Sequence, residues 1–403
     1  MRTTGSTGQT AGVAAPDLLS PAFYADIDGM HDAFRSMRAA GPVWRDEQNE
    51  LWAVVRHAPL IDTERRADVF SSNGCYRSRI APMEEDMIAK DDPAHHTQRA
   101  LVARRFTPKA VQRLEPAIGR VVDDLIDRFA EKGELEIVDD LAAPFPARMT
   151  AHLLGFGEDH APAVRSWSER LMRIDGIADD ERLMTDMMGA IMEFAALVGP
   201  LADDRRAAPR DDLLSVWANG ELNGCPMEQN VMVQETGLFI SGGAETTRTV
   251  TARGVIELAR HPDQWDALAA DPSLIPGAVE EMIRWVTPLN NFFRTATRDA
   301  KIAGTDVRAG DRVILLYPSA NRDETVFDDP YTFDIRRDPN PHVAFGFGTH
   351  FCLGASLARL ELRMLLTRLT KRITNLRVVS GPDIEPNIFV GAVRSCRLAF
   401  DLR

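Results

Sequence analysis

The stretch FGFGTHFCLG, residues Phe345–Gly354, puts one cysteine among three glycines and a histidine, directly before a strongly helical run. Glycine permits tight backbone turns and the close approach of a large flat ligand. Backbone N–H groups in such a loop can point at the sulfur of Cys352 and tune a metal that it holds. Two other interpretations of Cys352 are a buried structural thiol and a thiolate nucleophile stabilised by the following helix. His350 is either a surface histidine or a partner for an anionic group of the same ligand.

The composition indicates a globular protein with a large core and argues against a nucleic-acid binder. Of the 403 residues, 44% are hydrophobic and 27% are charged, and the net charge is −13. A general nucleic-acid binder would carry the opposite charge, because its affinity for phosphate comes from Lys and Arg. The N-terminal residues lack the apolar segment of a signal peptide, and no run approaches the roughly 20 apolar residues of a membrane span. We expect a disordered tail over residues 1–17, no membrane span and a cytoplasmic protein.

The four cysteines lie far apart and form no C-x-x-C pair. This spacing predicts neither a disulfide framework nor a zinc site in a cytoplasmic protein. Outside the quoted stretch, we expect Cys75, Cys225 and Cys396 to be small buried hydrophobic residues.

Apolar residues at three-to-four spacing dominate the chain and predict a mostly helical α+β domain over residues 18–403. Strand patterns are fewer and form small sheets at the margin of this domain. PVWRD and LWAVVR, on either side of the polar EQNE, predict one hairpin. KIAGTDVRAGDRVILL predicts another hairpin, with RAGD as its turn.

A helical pattern from Met227 to about His261 is longer than most globular helices and is interrupted by SGGAETTR. Glycines inside a helix cost roughly 1 kcal/mol each relative to alanine. One interpretation is that a helix ends at Gly243 and a second helix begins nearby. The other is a single helix that is distorted where a ligand approaches its backbone.

The quoted stretch resembles, position for position, the cysteine loop of the bacterial soluble cytochrome P-450 monooxygenases, which are haem-thiolate enzymes. Further motifs follow in the order found in that family: DDPAHHTQR, GGAETT, EMIR and FDIRR. The resemblance runs from about residue 20 to the C-terminus. It implies a single large triangular helical domain with small peripheral β-sheets. It also implies haem b as cofactor and dioxygen as co-substrate.

The resemblance implies that Cys352 is the proximal thiolate ligand of the haem iron and favours O–O cleavage by pushing electron density toward it. Buried haem propionates need cationic partners, because an unpaired buried charge is very costly. His95, Arg99, Arg294 and His350 are the partners that the family's motifs imply. The implied cofactor-binding residues together are His95, Arg99, Gly242, Arg294, Phe345, Gly346, His350, Cys352 and Gly354.

Glu245 and Thr246 match the family's catalytic acid–alcohol pair. The match implies that Thr246 hydrogen-bonds dioxygen or an ordered water and that Glu245 relays protons from solvent. Thr246 is otherwise a capping or back-bonding threonine. The presence of the pair favours reductive activation of dioxygen over direct use of peroxide.

EMIR supplies the E-x-x-R pair of the family, Glu281 and Arg284, and FDIRR supplies Arg337. An E-x-x-R pair alone is usually an exposed ion pair on a helix. The resemblance implies instead that the three residues form a buried structural network and take no part in catalysis.

Reductive activation requires electrons, and no flavin or iron–sulfur domain is fused to the chain. The resemblance therefore implies a ferredoxin and a ferredoxin reductase, which carry electrons from NAD(P)H. Residues 99–120 contain six basic residues against one acidic residue, and residues 359–372 contain five against one. These stretches favour docking of an acidic ferredoxin, although solvated helix faces are the alternative. We expect the enzyme to be a monomer.

The substrate is a hydrophobic small molecule by resemblance, and the pocket residues that the family implies lie in several segments. Methionines around residue 187 could form a pliable lid or plain core, and Asn290 and Arg77 could contact a polar group. The implied pocket residues are Arg77, Met187, Leu238, Phe239, Leu289, Asn290, Phe292, Ile388 and Phe389.

PGAVEEMIRW and HVAFGFGTHFCLGASLARLELR resemble the actinobacterial branch of the family that includes sterol- and lipid-oxidising members. Hydroxylation of a steroid, terpenoid or lipid is the expectation that follows. The alternatives are epoxidation, desaturation or coupling on the same fold, and a haem sensor without turnover.

Overall fold

The computed structural model describes residues 16–79, 83–173 and 180–403. The predicted tail, residues 1–17, lies outside these ranges except for its last two residues. The predicted substrate segments that include residues 80–82 and 174–179 lie partly outside them.

Helices make up most of the described residues. The α-helices are α1 Pro21–Ala25, α2 Ile27–Ala40, α3 His57–Arg65, α4 Ala94–Ala103, α5 Pro108–Val111, α6 Glu115–Ala130, α7 Pro144–Leu154, α8 Ala161–Met172, α9 Glu181–Ala207, α10 Leu213–Ala218, α11 Gln229–Ile240, α12 Thr246–Arg260, α13 Pro262–Ala270, α14 Ile275–Val286, α15 Tyr317–Ala320 and α16 Ala355–Arg372. Two π-helical segments cover Ile137–Ala142 and Ser241–Glu245. Short 3₁₀ helices cover Met87–Ala89, Arg104–Phe106, Gln112–Leu114, Glu158–His160, Pro272–Leu274 and Gly348–His350.

The strands form small sheets. They are β1 Val43–Asp46, β2 Leu51–Val54, β3 Phe70–Ser71, β4 Glu134–Glu136, β5 Glu221–Leu222, β6 Cys225–Pro226, β7 Asn291–Ala296, β8 Ala300–Ile302, β9 Thr305–Val307, β10 Arg312–Leu316, β11 Ile373–Ile384 and β12 Val393–Leu402. The largest sheet has the order β1-β2-β10-β7-β3, and a second has the order β11-β12-β4. Two-stranded sheets join β5 to β6 and β8 to β9.

The first predicted hairpin is confirmed, because β1 pairs antiparallel with β2 from Val43↔Val54 onward. For the second predicted hairpin, the predicted position of the turn is wrong. β8 pairs with β9 across Ala303 and Gly304, which adopt φ values of 46° and 89°, and RAGD instead separates β9 from β10. β10 then joins the larger sheet, parallel to β2 and antiparallel to β7. Positive φ at two successive residues is the requirement of a tight hairpin turn, which explains why the chain reverses at residues 303–304.

The long helical pattern is one helix with a distortion. α11 passes through the π-helical segment Ser241–Glu245 into α12 with right-handed helical dihedrals at both junctions. A Cβ added to Gly243 would lie 3.0 Å from Oγ1 of Thr150, whereas one added to Gly242 would meet open space. The second interpretation of SGGAETTR is therefore the one that the structure supports.

The largest hydrophobic cluster lies where α6, α7, α12, α14 and α16 meet, and the long helix runs through it. Two of the three cysteines expected to be buried, Cys75 and Cys396, are buried. The expectation for Cys225 is wrong, since this residue is exposed on the short strand β6.

Among the described helices, α9 is long and apolar enough to cross a bilayer by length and composition. About 28% of its most apolar window is buried inside the fold, where it packs against α8, α10 and α11. A core helix also meets this length and composition criterion, so α9 is weak support for a membrane span.

Candidate active site

A cavity separates the long helix from the loop that carries Cys352. Gly242, Gly243 and Thr246 lie on the wall formed by the long helix. Phe345 and Cys352 lie on the opposite wall, directly before α16. A flat ligand in this slot would therefore have a wall without side-chain bulk above it and a thiol below it.

The cysteine loop is shaped by its glycines. Gly346 and Gly348 adopt φ values of 69° and 70°, which favour glycine. A Cβ at Gly348 would lie 2.8 Å from the carbonyl oxygen of Glu64, so any side chain there would collide with α3. The N–H of Cys352 donates to the carbonyl oxygen of Phe345 at 2.9 Å, which closes the loop.

The environment of the Cys352 thiol contains opposing influences on its ionisation. Burial raises the pKa of Cys352. The backbone N–H groups of Gly354 and Ala355 and the nearby charges of Arg99 and Arg359 oppose this rise. These donors and cations stabilise a thiolate, the form of cysteine that binds metals.

One end of the cavity is lined by basic and imidazole side chains from three segments. His95 and Arg99 come from α4, Arg294 from β7 and His350 from the cysteine loop. The rings of His95 and His350 lie 4.3 Å apart by their centroids. Nε2 of each ring is buried and has no hydrogen-bond partner among the described residues.

The two arginines are held by backbone carbonyl groups. Nη2 of Arg99 donates to the carbonyl oxygen of Phe351 at 2.6 Å, and Nη1 of Arg294 donates to that of Phe293 at 2.8 Å. Burial, together with the nearby Arg294, His95 and Arg99, lowers the pKa of His350 to about 2. Neutral imidazole can donate one hydrogen bond through a ring nitrogen.

The residues fit an iron porphyrin with two propionates. The slot accepts a flat ring, Cys352 supplies a soft anionic ligand, and the basic end supplies two fixed cations with two unsatisfied imidazole nitrogens. Buried carboxylates need this combination of charge and hydrogen bonds. Gly354 also lies beside the thiol, since a Cβ there would be 3.9 Å from Sγ of Cys352.

The predicted acid–alcohol pair is divided between two environments. Thr246 faces the cavity, and its Oγ1 donates to the carbonyl oxygen of Gly242 at 2.7 Å. Glu245 is buried away from the cavity wall and forms an ion pair with Arg248 at 3.0 Å. Nη1 of Arg248 also lies 3.1 Å from Oε1 of Glu169. Burial raises the pKa of Glu245, and Arg248 opposes this effect.

The structure brings together the three residues of the predicted ion network. Nε and Nη2 of Arg284 each lie 2.7 Å from an oxygen of Glu281, and Nε of Arg337 lies 3.2 Å from Oε2. Glu281 and Arg284 are fully buried on α14. The network holds the segment before the cysteine loop against α14, and it lies outside the cavity.

The predicted substrate residues divide into two groups. Leu238, Phe239, Leu289 and Phe292 line the cavity. Among the described residues, Arg77, Met187, Asn290, Ile388 and Phe389 are not on its wall. Nδ2 of Asn290 donates to the backbone of Asn387 and Ile388, and Phe389 packs behind Phe292, with the ring centroids 5.3 Å apart.

Three buried carboxylates near the cavity were not identified from the sequence. Glu64 and Glu361 line the cavity, and Glu235 lies on α11 behind Met87. Burial raises the pKa of Glu361 to about 8, and a hydrogen bond from Thr247 opposes this rise. Each glutamate occupies a core-facing position of a helix. An acidic residue at such a position is the sequence pattern that could have identified them.

Comparison with known proteins gives consistent results. The Cytochrome P450 family model matches residues 200–387. A steroid C26-monooxygenase of Mycolicibacterium smegmatis is 43% identical, over 93% of this chain and 96% of that protein. A methyl-branched lipid omega-hydroxylase of Mycobacterium tuberculosis is 34% identical, over 98% and 96%. The structure of Mycobacterium marinum cytochrome P450 CYP268A2 in complex with pseudoionone superposes with a TM-score of 0.89 at 31% identity, over 98% of this chain and 100% of that chain.

Proposed function

The chain belongs to the cytochrome P450 family and is a haem-dependent monooxygenase of hydrophobic substrates, and we propose that it hydroxylates a steroid, terpenoid or branched lipid with electrons from a ferredoxin. Membership of the family confirms the predicted mainly helical haem fold, haem b as cofactor and dioxygen as co-substrate. Electrons come from NAD(P)H through redox partners.

The apolar wall above the haem slot is the observation that carries the substrate proposal. Ile88, Leu238, Phe239, Leu289 and Phe292 line the cavity with aliphatic and aromatic surface. Such a wall favours an uncharged part of a ligand, because a charged group against it would be left without a partner. A hydrocarbon chain gains roughly 0.8 kcal/mol for each CH₂ group buried against it.

The relatives support a site of oxidation far from the polar end of the substrate. One is named for C26 of a steroid and another for the omega position of a methyl-branched lipid. We extend this selectivity to the present chain: a branched aliphatic end points at the haem, and the remainder of the substrate lies toward Met87 and Ile88.

When bound, haem would supply the oxygen-activating chemistry, and Cys352 would hold its iron as a thiolate. His95, Arg99, Arg294 and His350 would bind the propionates and orient the ring. Phe345, Gly346 and Gly354 would form the wall on the Cys352 side, and Gly242 would leave space on the side of the long helix. These roles rest on the unsatisfied nitrogens and fixed cations at one end of the slot.

Thr246 and Glu245 control protons on the long-helix side. The hydroxyl of Thr246 holds a proton at the cavity wall, where it can turn from the Gly242 carbonyl toward the reacting oxygen. Glu245 takes the role of proton relay in this proposal, since it shares Arg248 with Glu169, a carboxylate that is partly exposed to solvent. Burial raises the pKa of Glu245, and this favours its protonated form relative to a solvated glutamate, although Arg248 opposes the effect.

An exposed groove on the Cys352 side suits an acidic ferredoxin. Residues 108–112 of the chain and the N-terminal half of α16 line it, with Arg359 and Arg363 at its edge. Arg359 is paired with Glu280, whereas the exposed Arg104, Lys109, Arg113 and Arg363 have no ion pair among the described residues. A cluster of uncompensated cations on a protein of net charge −13 favours an acidic partner at this face.

Residues 18–403 form the catalytic domain in this proposal. The enzyme acts as a cytoplasmic monomer. Among the described residues, Arg77, Met187, Asn290, Ile388 and Phe389 are not on the cavity wall, so this proposal gives them no contact with the substrate. Glu281, Arg284 and Arg337 stabilise the fold in this proposal.

Ligand binding to the ferric enzyme tests the substrate class. A sterol with a branched side chain and a methyl-branched fatty acid should displace the distal water and shift the Soret band, whereas polar analogues should not. Leu289→Ala should weaken the apparent affinity about tenfold, and the matched change Leu402→Ala, at an exposed position of β12 outside the cavity, should leave it within twofold. Product analysis with a ferredoxin system should locate the hydroxyl at the chain end. Binding restricted to polar compounds would contradict the proposal.

A further inference from the structure

We propose that Glu64 is part of the haem site and, as a neutral carboxylic acid, donates a hydrogen bond to a haem propionate. The inference rests on the propionate site proposed above. Glu64 lies in the last turn of α3, a segment that none of the recognised motifs includes.

Glu64 reaches the cavity between two other groups that line its basic end. The side chain is 2% exposed, and Oε1 lies 3.8 Å from Nη2 of Arg294. The hydroxyl of Tyr317 donates to the same Oε1 at 2.7 Å. Oε2 is buried and has no hydrogen-bond partner among the described residues, although Glu64 lines the cavity.

The cysteine loop holds Glu64 in this position. A Cβ at Gly346 would lie 3.3 Å from Oε1 of Glu64, and one at Gly348 would lie 2.8 Å from its carbonyl oxygen. The backbone N–H of Phe347 is near enough to lower the pKa of the Glu64 carboxyl group. The end of α3 and the cysteine loop therefore fix the carboxyl group, and Oε2 is the oxygen left for a ligand.

The charges at this end balance only if Glu64 is neutral. Two propionates carry two negative charges, which the two fixed cations Arg99 and Arg294 offset, while His95 and His350 offer unpaired ring nitrogens to hydrogen-bond them. The thiolate of Cys352 offsets the net charge of ferric haem. An ionised Glu64 would add an unpaired negative charge in a desolvated site, which is costly.

The surroundings of Glu64 favour the neutral form near neutral pH. Burial raises the pKa of Glu64 to about 7, although Arg294, Tyr317 and the Phe347 N–H lower it. The charged and titratable groups in contact with it are Arg294 from β7 and Tyr317 from α15, and His350 from the cysteine loop lines the same cavity. The negative propionates, once present, disfavour ionisation further.

The first test measures how fast the holoenzyme loses haem to apomyoglobin. Glu64→Gln keeps a donor at Oε2 and an acceptor for Tyr317, so it should retain haem within twofold of the wild type. Glu64→Leu removes both and should lose haem at least fivefold faster. Asp62→Asn, an exposed change on the same helix, is the matched control and should have no effect. Equal rates for all four proteins would overturn the proposal.

The second test measures the haem reduction potential between pH 6 and 9. In the wild type the potential should fall as pH rises, because ionised Glu64 stabilises ferric over ferrous iron. In Glu64→Gln the decrease in reduction potential that comes from ionisation of Glu64 should be absent. This comparison tests the proposal even if Glu64→Leu does not fold. An identical pH profile in both proteins would overturn the proposal. Arg294→Gln should speed haem loss in either case, and its failure to do so would instead locate the error in the propionate site.

Discussion

Thr246 and Glu245 are adjacent in sequence but face different surroundings, because the π-helical segment ends between them. The hydroxyl of Thr246 is on the cavity wall and bonds the Gly242 carbonyl. This back-bond agrees with the simpler interpretation of a threonine in a helix, yet the same hydroxyl is within the reaction space. A single side chain can satisfy the backbone at rest and serve the reaction when it rotates.

Replacing Thr246 separates these two roles. Thr246→Ala should leave haem content and substrate binding unchanged but lower product formed per NAD(P)H at least threefold, with hydrogen peroxide rising in proportion, because the proton donor at the wall is lost. Thr246→Ser keeps the hydroxyl and should remain within twofold of the wild type. Product, peroxide and NAD(P)H consumption are measured in one reconstituted assay. Unchanged coupling in Thr246→Ala would show that the hydroxyl has only its backbone role.

At the same scale, the sequence predicted the residues that lie inside fixed motifs. Cys352 and His350 share one loop, and His95 and Arg99 lie one turn apart on α4, so the spacing within each pair is local. The motifs identified both pairs, although the contact of Arg99 with Phe351 joins residues 252 apart in sequence. Glu64 could not be predicted in this way. Its place beside Arg294 and Tyr317 depends on how α3, β7 and α15 pack across more than 200 residues of chain.

At the scale of elements, residues 83–90 are attached to the long helix by buried side chains. Oε1 of Glu235 on α11 accepts from the backbone N–H of Met87 at 2.7 Å and from Gln98 on α4. Asp86 accepts from the N–H groups of Ile88 and Ala89. Since Met87 and Ile88 line the cavity, Glu235 sets the position of one wall of the substrate site.

This attachment predicts a pH-dependent stability. Burial, with Asp86 nearby, raises the pKa of Glu235 to about 8 from an ordinary value of 4.5. The folded state therefore binds a proton that the unfolded state has lost, and the free energy of unfolding falls as pH rises from about 4.5 to 8. Glu235→Gln removes this contribution. It should match the wild type at pH 5 and unfold at higher urea concentration than the wild type at pH 9.

The control for this prediction is Glu228→Gln, which changes an exposed acid just before the same helix. It should change the free energy of unfolding equally at both pH values, by no more than about 0.5 kcal/mol. If Glu235→Gln and Glu228→Gln have the same pH profile, Glu235 is ionised in the folded state.

The elements themselves were predictable where local chemistry decides them. Two glycines before an acid and a threonine allowed two interpretations, a helix end at Gly243 or a distorted long helix, and the structure supports the second. The pairing of β10 was not predictable, since it follows from β2 and β7, which lie far away in sequence. The turn at Ala303 was hidden for another reason: alanine seldom adopts the positive φ that it has there.

At the scale of the whole molecule, the charge is unevenly distributed. Sequence counting identified basic stretches in residues 99–120 and 359–372, but it could not tell which cations are already paired. Arg368 and Arg372 of α16 form ion pairs with Asp123 and Asp127 of α6. Their charges are therefore already paired within the fold. Lys109, Arg113 and Arg363 are exposed and have no ion pair among the described residues.

These free cations lead to a prediction about electron transfer. Arg113→Glu combined with Lys109→Glu should raise the KM for an acidic ferredoxin about tenfold or more, because two attractive charges become repulsive at the docking face. The wild-type KM should rise with ionic strength, and that of the variant should change much less, since salt screens the attraction that the variant has lost.

Arg394→Glu, an exposed change on β12 outside the groove, is the control and should leave the KM within twofold. Haem content and substrate-induced spectra should be unchanged in all proteins, so a loss confined to the ferredoxin step identifies this face. Equal KM values for the double variant and Arg394→Glu would place the docking site elsewhere.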